Sequence, residues 1–306
     1  MKFAFFFPGQ GSQSVGMMQG LSDLAVIKET FVEASDLLKQ DFWAMVTEPN
    51  EALNQTTNTQ PLMLTAGIAT WRAWQQHTDK RPSLMAGHSL GEYTALVAAG
   101  ALSFEDALPL VRYRAEVMQN AVAEGVGAMA AILGLDDDAV RSVCNEASQG
   151  QVLEAVNLNS PGQVVIAGNK EAVERGMELA KEKGAKRALA LPVSVPSHCA
   201  LMKPAAEELL AYLKGVQINK PLIPVLHNAD VLAYSDAEQI KDALVRQLFS
   251  PVRWVETVQY VSAQGITNSA ECGPGKVLAG LTKRIVAELP CVALTSTESI
   301  NEATFV

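Results

Sequence analysis

The pentapeptide Gly87-His88-Ser89-Leu90-Gly91 has the G-x-S-x-G spacing of a nucleophile elbow. Apolar residues precede it and a helical pattern follows, so Ser89 stands on a sharp strand-to-helix turn. Such a turn forces the serine into strained backbone, and neighbours bearing Cβ atoms would clash there. A helix beginning at Leu90 aims unpaired N–H groups and its positive end at the site, where an oxyanion would be stabilised. The bland alternative is a tight turn carrying an incidental serine.

A serine hydroxyl at its ordinary pKa needs a base. The chain has four histidines. His88 adjoins Ser89, but the turn sends neighbouring side chains apart, so it is expected to pack within the fold. His77 lies in the polar stretch Gln75-Gln76-His77-Thr78-Asp79 and reads as solvated. His227 ends a strand before Asn228, where it fits a satisfied loop histidine better than a base. His198, in Val195-Pro196-Ser197-His198, lies where the chain returns from an inserted segment, and is the candidate base. No Asp or Glu carries a recognisable orienting motif, and a backbone carbonyl can fix the imidazole tautomer instead.

Arg114 is the other residue with chemical promise. On the helix after Ser103, Phe104, Ala107, Leu108, Val111, Ala115, Met118 and Val122 form the core stripe, and Arg114 falls on its edge. Arginine is seldom buried unpartnered. It forms either a structural ion pair or a fork for a substrate carboxylate.

The elements that hold these residues follow from periodicity. Strand-like runs alternate with amphipathic helices, the mark of an α/β protein. The pattern predicts strands over 3–7 and 83–87. It predicts helices over 60–76, with Pro61 in the first turn, over 90–99 ended by Gly100, and over 104–124 capped by Ser103. Between 125 and 194 the order becomes β-α-β-β-α-β, with strands over 126–133, 152–157, 164–168 and 186–193 and helices over 137–148 and 171–183. The α/β pattern then resumes: strand 222–227, helices 238–249 and 252–264, strand 266–271, and a last helix over 276–288. The fold class expected is α/β, a large α/β-hydrolase-like domain with a parallel sheet (1–124 and 197–306). It carries a small inserted ferredoxin-like α+β domain (125–196), and a cleft lies between the two.

Bulk properties narrow the function. A chain of 306 residues with 48% hydrophobic content can bury a large core. No run approaches the roughly 20 apolar residues of a membrane helix. The five apolar residues before Pro8 are too few for a signal peptide, and a buried strand fits them better. The four cysteines are scattered without a Cys-x-x-Cys pair, which argues against zinc or disulfides and suits the reducing cytoplasm. A net charge of −9 gives no broad basic face for nucleic acid.

Together these motifs closely resemble the malonyl-CoA:acyl carrier protein transacylase family of bacterial type II fatty acid synthesis. The resemblance runs from about Phe3 to Leu289. It is carried by Phe7-Pro8-Gly9-Gln10-Gly11-Ser12-Gln13, Thr59-Gln60-Pro61, Gly87-His88-Ser89-Leu90-Gly91-Glu92, and Arg114 with Met118-Gln119. It continues in Asn159-Ser160-Pro161-Gly162-Gln163, Val195-Pro196-Ser197-His198, Ser250-Pro251-Val252-Arg253-Trp254 and Gly273-Pro274-Gly275-Lys276-Val277-Leu278.

The resemblance implies a ping-pong transfer of malonyl from malonyl-CoA to the phosphopantetheine thiol of acyl carrier protein. Ser89 would be the nucleophile, His198 the base, and the carbonyl of Gln247 its orienting partner. The N–H groups of Gln10 and Leu90 would form the oxyanion hole, Arg114 would hold the malonyl carboxylate, and Gln60 and Asn159 would contact substrate. No resident cofactor, metal, nucleic acid or membrane is expected. Gly9-Gln10-Gly11, one glycine short of a dinucleotide fingerprint, then reads as half of the oxyanion hole. Both CoA and the carrier are anionic, so a local basic patch is expected. Lys186 with Arg187, Lys203, Lys276 and Lys283 with Arg284 are candidates, each with an ordinary solvated charge as the alternative.

Two other classes fit less well. An α/β-hydrolase esterase would place its histidine near the C-terminus after an acid. Here 108 residues follow His198, and His227 is the one histidine among them. A carrier-binding module without catalysis would not need Ser89, His198 and Arg114 together.

Overall fold

The computed structural model describes residues 2–193 and 195–305. The chain opens with β1 (Phe3–Phe7), whose five residues are all buried, and continues through α1 (Ala25–Leu38), α2 (Phe42–Thr47) and α3 (Thr56–Gln75). Then come β2 (Leu84–Gly87), α4 (Gly91–Ala98) and α5 (Phe104–Asn120). A second group follows: β3 (Gly127–Leu133), α6 (Asp137–Ser148), β4 (Leu153–Ser160), β5 (Gln163–Asn169), α7 (Lys170–Glu182) and β6 (Arg187–Ala190). The first group resumes with α8 (Lys203–Leu213), β7 (Val225–Leu226), α9 (Ala237–Gln247) and α10 (Trp254–Ala263). It closes with β8 (Asn268–Glu271), α11 (Val277–Ile285), β9 (Cys291–Ala293) and α12 (Thr297–Glu302).

The first and last groups build one parallel sheet in the order β7-β2-β1-β8-β9. Its central strand, β1, is apolar at every position because helices cover both faces. Phe5 and Phe7 face one cluster, with Trp71 and Trp74 from α3, while Phe6 faces another with Trp254. The middle group forms an antiparallel sheet, β4-β5-β3-β6, with its own core of Ile132, Val140, Val143, Ile166 and Val173. The opposite side of that sheet packs Met129, Val156 and Val165 with Cys199, next to His198. β4 also docks on the parallel-sheet body: Leu158 N donates to Val252 O (3.0 Å) and Val252 N to Val156 O (2.8 Å).

Several boundaries differ from the periodicity. α3 starts at Thr56, so Pro61 lies inside the helix. Asn58 and Thr59 extend the helix backwards, their side chains bonding Ala52 O and Leu53 O in the preceding turn. α5 stops at Asn120, and β7 keeps two residues of a predicted six. The helix expected over 276–288 ends at Ile285 and is not the last. β9 is only half-buried and α12 only six residues long, too short to show a period, yet Trp74 Nε1 donates to Ala303 O just beyond α12. Among the described residues no helix is long and apolar enough to cross a membrane, and the four cysteines are free.

Candidate active site

The turn from β2 to α4 is held by backbone contact. A Cβ on Gly87 would lie 1.9 Å from Gly91, one on Gly91 would lie 2.0 Å from Phe7 O, and one on Gly9 would lie 2.4 Å from His88 O. These three glycines therefore let the Gln10 loop, the end of β1 and the start of α4 meet. Gly11 has a different reason: its φ of +106° disfavours a side chain, though a Cβ there would meet nothing. Ser89 itself takes φ +51°. Its N–H donates to Asn228 Oδ1 at 2.7 Å, and Asn228 Nδ2 donates to Gly87 O at 2.6 Å, clamping both sides of the turn.

His198 also holds left-handed backbone, at φ +66°, and its N–H donates to Leu248 O at 3.0 Å. Its Nε2 lies 2.7 Å from Ser89 Oγ, and its Nδ1 lies 2.7 Å from the carbonyl oxygen of Gln247. A carbonyl only accepts, so Nδ1 carries the proton and Nε2 is left to accept from the serine. Burial, the nearby Arg114 charge and His88 push the His198 pKa down to about 3, against the partial opposition of the Gln247 bond. The imidazole is therefore neutral at ordinary pH.

Arg114 is 1% exposed. Its Nη1 donates to Gln60 Oε1 (2.7 Å), and Nη2 donates to Gln247 Oε1 (2.9 Å) and to Ser89 Oγ (3.3 Å). The Tyr93 ring lies 5.3 Å from the guanidinium carbon. Among the described residues no carboxylate lies within ion-pair distance of Arg114, and its Nε has no partner. Burial lowers its pKa, while Tyr93 and the Glu92 carboxylate oppose that. An arginine kept in the interior by neutral amide oxygens is an unusual arrangement. It leaves one fork of a cation beside the serine.

The structure brings Ser89, Leu90, Gln10, Gln60, Arg114 and His198 around one cavity of about 120 Å³, walled further by Met118. The antiparallel body supplies the roof, through Met129 on β3, Asn157 on β4, and Leu191 and Val193 in the segment just after β6. Asn159 stands behind this wall: its Oδ1 accepts from His88 Nε2 at 2.8 Å. His88 packs on Trp254, as a histidine within the fold should, but it also borders the cavity. His77 is exposed and His227 is buried against Glu92, away from the serine. Lys186 and Arg187 do not reach the cavity. They sit at the Leu133 end of β6, while Leu191, beyond the other end, lines it. Lys203, Lys276, Lys283 and Arg284 are likewise on the surface, Arg284 bonded to Gln163.

Three contributors escape sequence reasoning: Glu92, Asn228 and the side chain of Gln247. Glu92 does leave a trace, as the lone Asp, Glu, Lys or Arg between Arg81 and Glu105. Acidic residues in a first helical turn are common, however, and the macrodipole explains them without a further role.

The chain matches the acyl transferase domain family over residues 4–300. The malonyl CoA-acyl carrier protein transacylase of Salmonella typhimurium is 55% identical over 304 residues, covering 99% of this chain and 98% of its own. A solved acyl-carrier-protein S-malonyltransferase from Burkholderia pseudomallei is 60% identical, covers 100% of both chains and superposes with a TM-score of 0.98. A solved complex of a type II PKS acyl-carrier protein with its malonyl-transacylase is similar too, at 54% identity, 99% coverage of both chains and a TM-score of 0.97. With matches of this identity along its whole length, the chain belongs to the acyl transferase family, within its malonyl CoA-acyl carrier protein transacylases.

Proposed function

We propose that this acyltransferase moves a malonyl group from malonyl-CoA to the phosphopantetheine thiol of acyl carrier protein, through a malonyl ester on Ser89. The observation that carries the reading is the buried Arg114 guanidinium, which donates to the amide oxygens of Gln60 and Gln247 and, at 3.3 Å, to the Ser89 hydroxyl, with no carboxylate partner among the described residues. A carboxylate on the acyl group would give it the bidentate partner it lacks. The complex of a related transacylase with an acyl-carrier protein supports the acceptor.

In the first half-reaction Ser89 Oγ attacks the thioester carbonyl and passes its proton to His198 Nε2. The Gln247 carbonyl holds the imidazolium that forms. The oxyanion would be received by the N–H groups of Gln10 and Leu90, two residues that line the cavity. As the C–S bond breaks, His198 returns the proton to the CoA sulfur. In the second half-reaction the carrier thiol gives its proton to His198 and attacks the ester carbonyl, and as the C–O bond to Ser89 breaks, His198 returns the proton to Ser89 Oγ. Gln60 would assist Arg114, and Asn159 would act on substrate through His88. This chemistry needs no resident cofactor, since the phosphopantetheine arrives with the carrier. A cavity of about 120 Å³ suits a short acyl group, given that about 150 Å³ accommodates benzene.

We read the antiparallel body as a ferredoxin-like domain over 125–196, inserted into an α/β-hydrolase-like domain formed by 1–124 and 197–306. Its roof would keep water from the ester, which transfer rather than hydrolysis requires.

The test is to mix the enzyme with malonyl-CoA, then add acyl carrier protein, following both proteins by mass spectrometry. A malonyl adduct on Ser89 that passes to the carrier thiol is expected. Rapid release of free malonate would indicate a hydrolase, and absence of an adduct would indicate a binding module. Arg114→Ala should cut malonyl loading at least 100-fold, because a buried charge-assisted pair contributes about 3 kcal/mol or more. Malonyl loading at the wild-type rate in that variant would sink the role of Arg114.

A further inference from the structure

Glu92 is wholly buried within the site, and none of the steps above uses it. It lies in the first turn of α4 and accepts three hydrogen bonds. His227 Nδ1 donates to its Oε1 at 2.7 Å, while Asn228 N and Gln247 Nε2 donate to its Oε2 at 2.9 Å each. The same Gln247 Nε2 donates to Ser89 O at 2.9 Å. Ser89 O and the carboxylate can only accept, so the amide nitrogen of Gln247 must face them. Its oxygen is thereby turned the other way, onto Arg114 Nη2.

We propose that Glu92, acting through the side-chain amide of Gln247, is the positioning residue that holds the Arg114 fork open for a carboxylate, and so sets the preference for acid-bearing acyl groups. This rests on the reading of Arg114 given above. The amide is what makes the arrangement work. Were Glu92 in direct contact with Arg114, the ion pair would occupy the fork and leave an incoming carboxylate nothing to bind. With one amide between them, the negative charge orients the guanidinium without consuming it. If Glu92 is removed, the Gln247 amide is free to turn over and set an NH₂ group against Arg114, donor to donor. His227 and Asn228 supply the carboxylate's remaining donors, which fixes Glu92 itself.

The experiment compares malonyl-CoA with acetyl-CoA as donors of the Ser89 ester, in wild type, Glu92→Ala, Glu92→Gln and Arg114→Ala. Glu92→Ala should lower the malonyl-over-acetyl ratio of kcat/KM by tenfold or more, chiefly through KM for malonyl-CoA. Glu92→Gln should keep the ratio within threefold of wild type. Its amide oxygen can take the bonds from Asn228 and Gln247, and its NH₂ can donate to a His227 that has moved its proton to Nε2. Gln247→Leu, which removes the amide but not the backbone carbonyl, should reproduce the loss of ratio, so the proposal stays testable if Glu92→Ala does not fold. An unchanged ratio in folded Glu92→Ala or in Gln247→Leu, while Arg114→Ala abolishes the preference, overturns the role of Glu92 and leaves that of Arg114 intact. An unchanged ratio in Arg114→Ala overturns both.

Discussion

At the scale of single residues, the proposed nucleophile and base share an uncommon backbone. Ser89 and His198 both sit at positive φ, a region that costs a non-glycine residue about 1–3 kcal/mol and persists where surrounding contacts impose it. The Asn228 clamp imposes it on Ser89, and the bond to Leu248 O imposes it on His198. The low pKa of His198 has two consequences. Acylation of Ser89 by malonyl-CoA should stay level from pH 8 down to about 5, because the imidazole, at about 3, is neutral throughout; a stopped-flow profile breaking near 6.5 would contradict it. Stability should move with the same group. Its folded pKa lies below the unfolded value of 6.5, so its contribution is full above 6.5 and is lost as pH falls toward 3. His198→Asn should therefore lose less stability to acid than wild type over that window, as urea titrations at pH 7 and pH 4.5 would show. Ser89, His198 and Arg114 were legible in the sequence because each is a chemically marked residue at a marked position. Whether Arg114 was paired was not legible. That depends on amides of α3 and α9, 54 and 133 residues away in the chain.

Secondary elements set these side chains in place, and the link from β8 to α11 shows how. Glu271 ends β8 and accepts from Ala279 N at 2.8 Å in the first turn of α11. Two residues on, Gly273 takes φ +142°, and a Cβ there would meet the Pro8 ring at 2.9 Å. The loop after β8 thus braces the loop that carries Gln10. Burial pushes the Glu271 pKa up to about 7, while the α11 N–H groups hold it back. A carboxyl raised in the folded state gives its full contribution below the unfolded value of 4.5 and loses it as pH climbs through 7. Glu271→Gln should accordingly gain melting temperature over wild type at pH 8.5 relative to pH 5.5. An equal difference at both pH values would rule this out. The alternation of strands and helices was readable because each long element repeats its period several times. The start of α3 was misplaced because polar residues that usually mark a turn, Asn58 and Thr59, satisfy upstream carbonyls from within the helix. β9 and α12 are short and owe their place to tertiary contacts.

On the proposed function, the molecule as a whole would receive two anionic partners on an acidic chain, with a net charge of −9. Arg187 lies about 13 Å and Lys186 about 16 Å along the chain from the cavity wall at Leu191, at a rise of about 3.3 Å per residue. They cannot touch the acyl group, but a carrier protein that delivers its thiol on a flexible arm can dock at that distance. Reversing both charges, Lys186→Glu with Arg187→Glu, should raise KM for the carrier severalfold at low salt, and the effect should shrink as salt is added. An unaltered KM would exclude this edge as the docking face. The sequence pattern announced the second, antiparallel sheet, since β-α-β-β-α-β interrupts the α/β alternation. It could not announce that β4 would dock through Val252, because such bridges depend on backbone and leave no mark on residue type.

The contacts among Gly9, Gly87 and Gly91 have a consequence for redesign. Below Ser89, peptide unit rests on peptide unit, with no side chain between them to enlarge or trim. That floor has one set of dimensions, and no substitution there can resize it. The roof is different: Met129 on β3, and Leu191 and Val193 just past β6, are ordinary side chains. A variant meant to accept a bulkier acyl group has its freedom in the ceiling, and its chemistry stays where the backbone has fixed it.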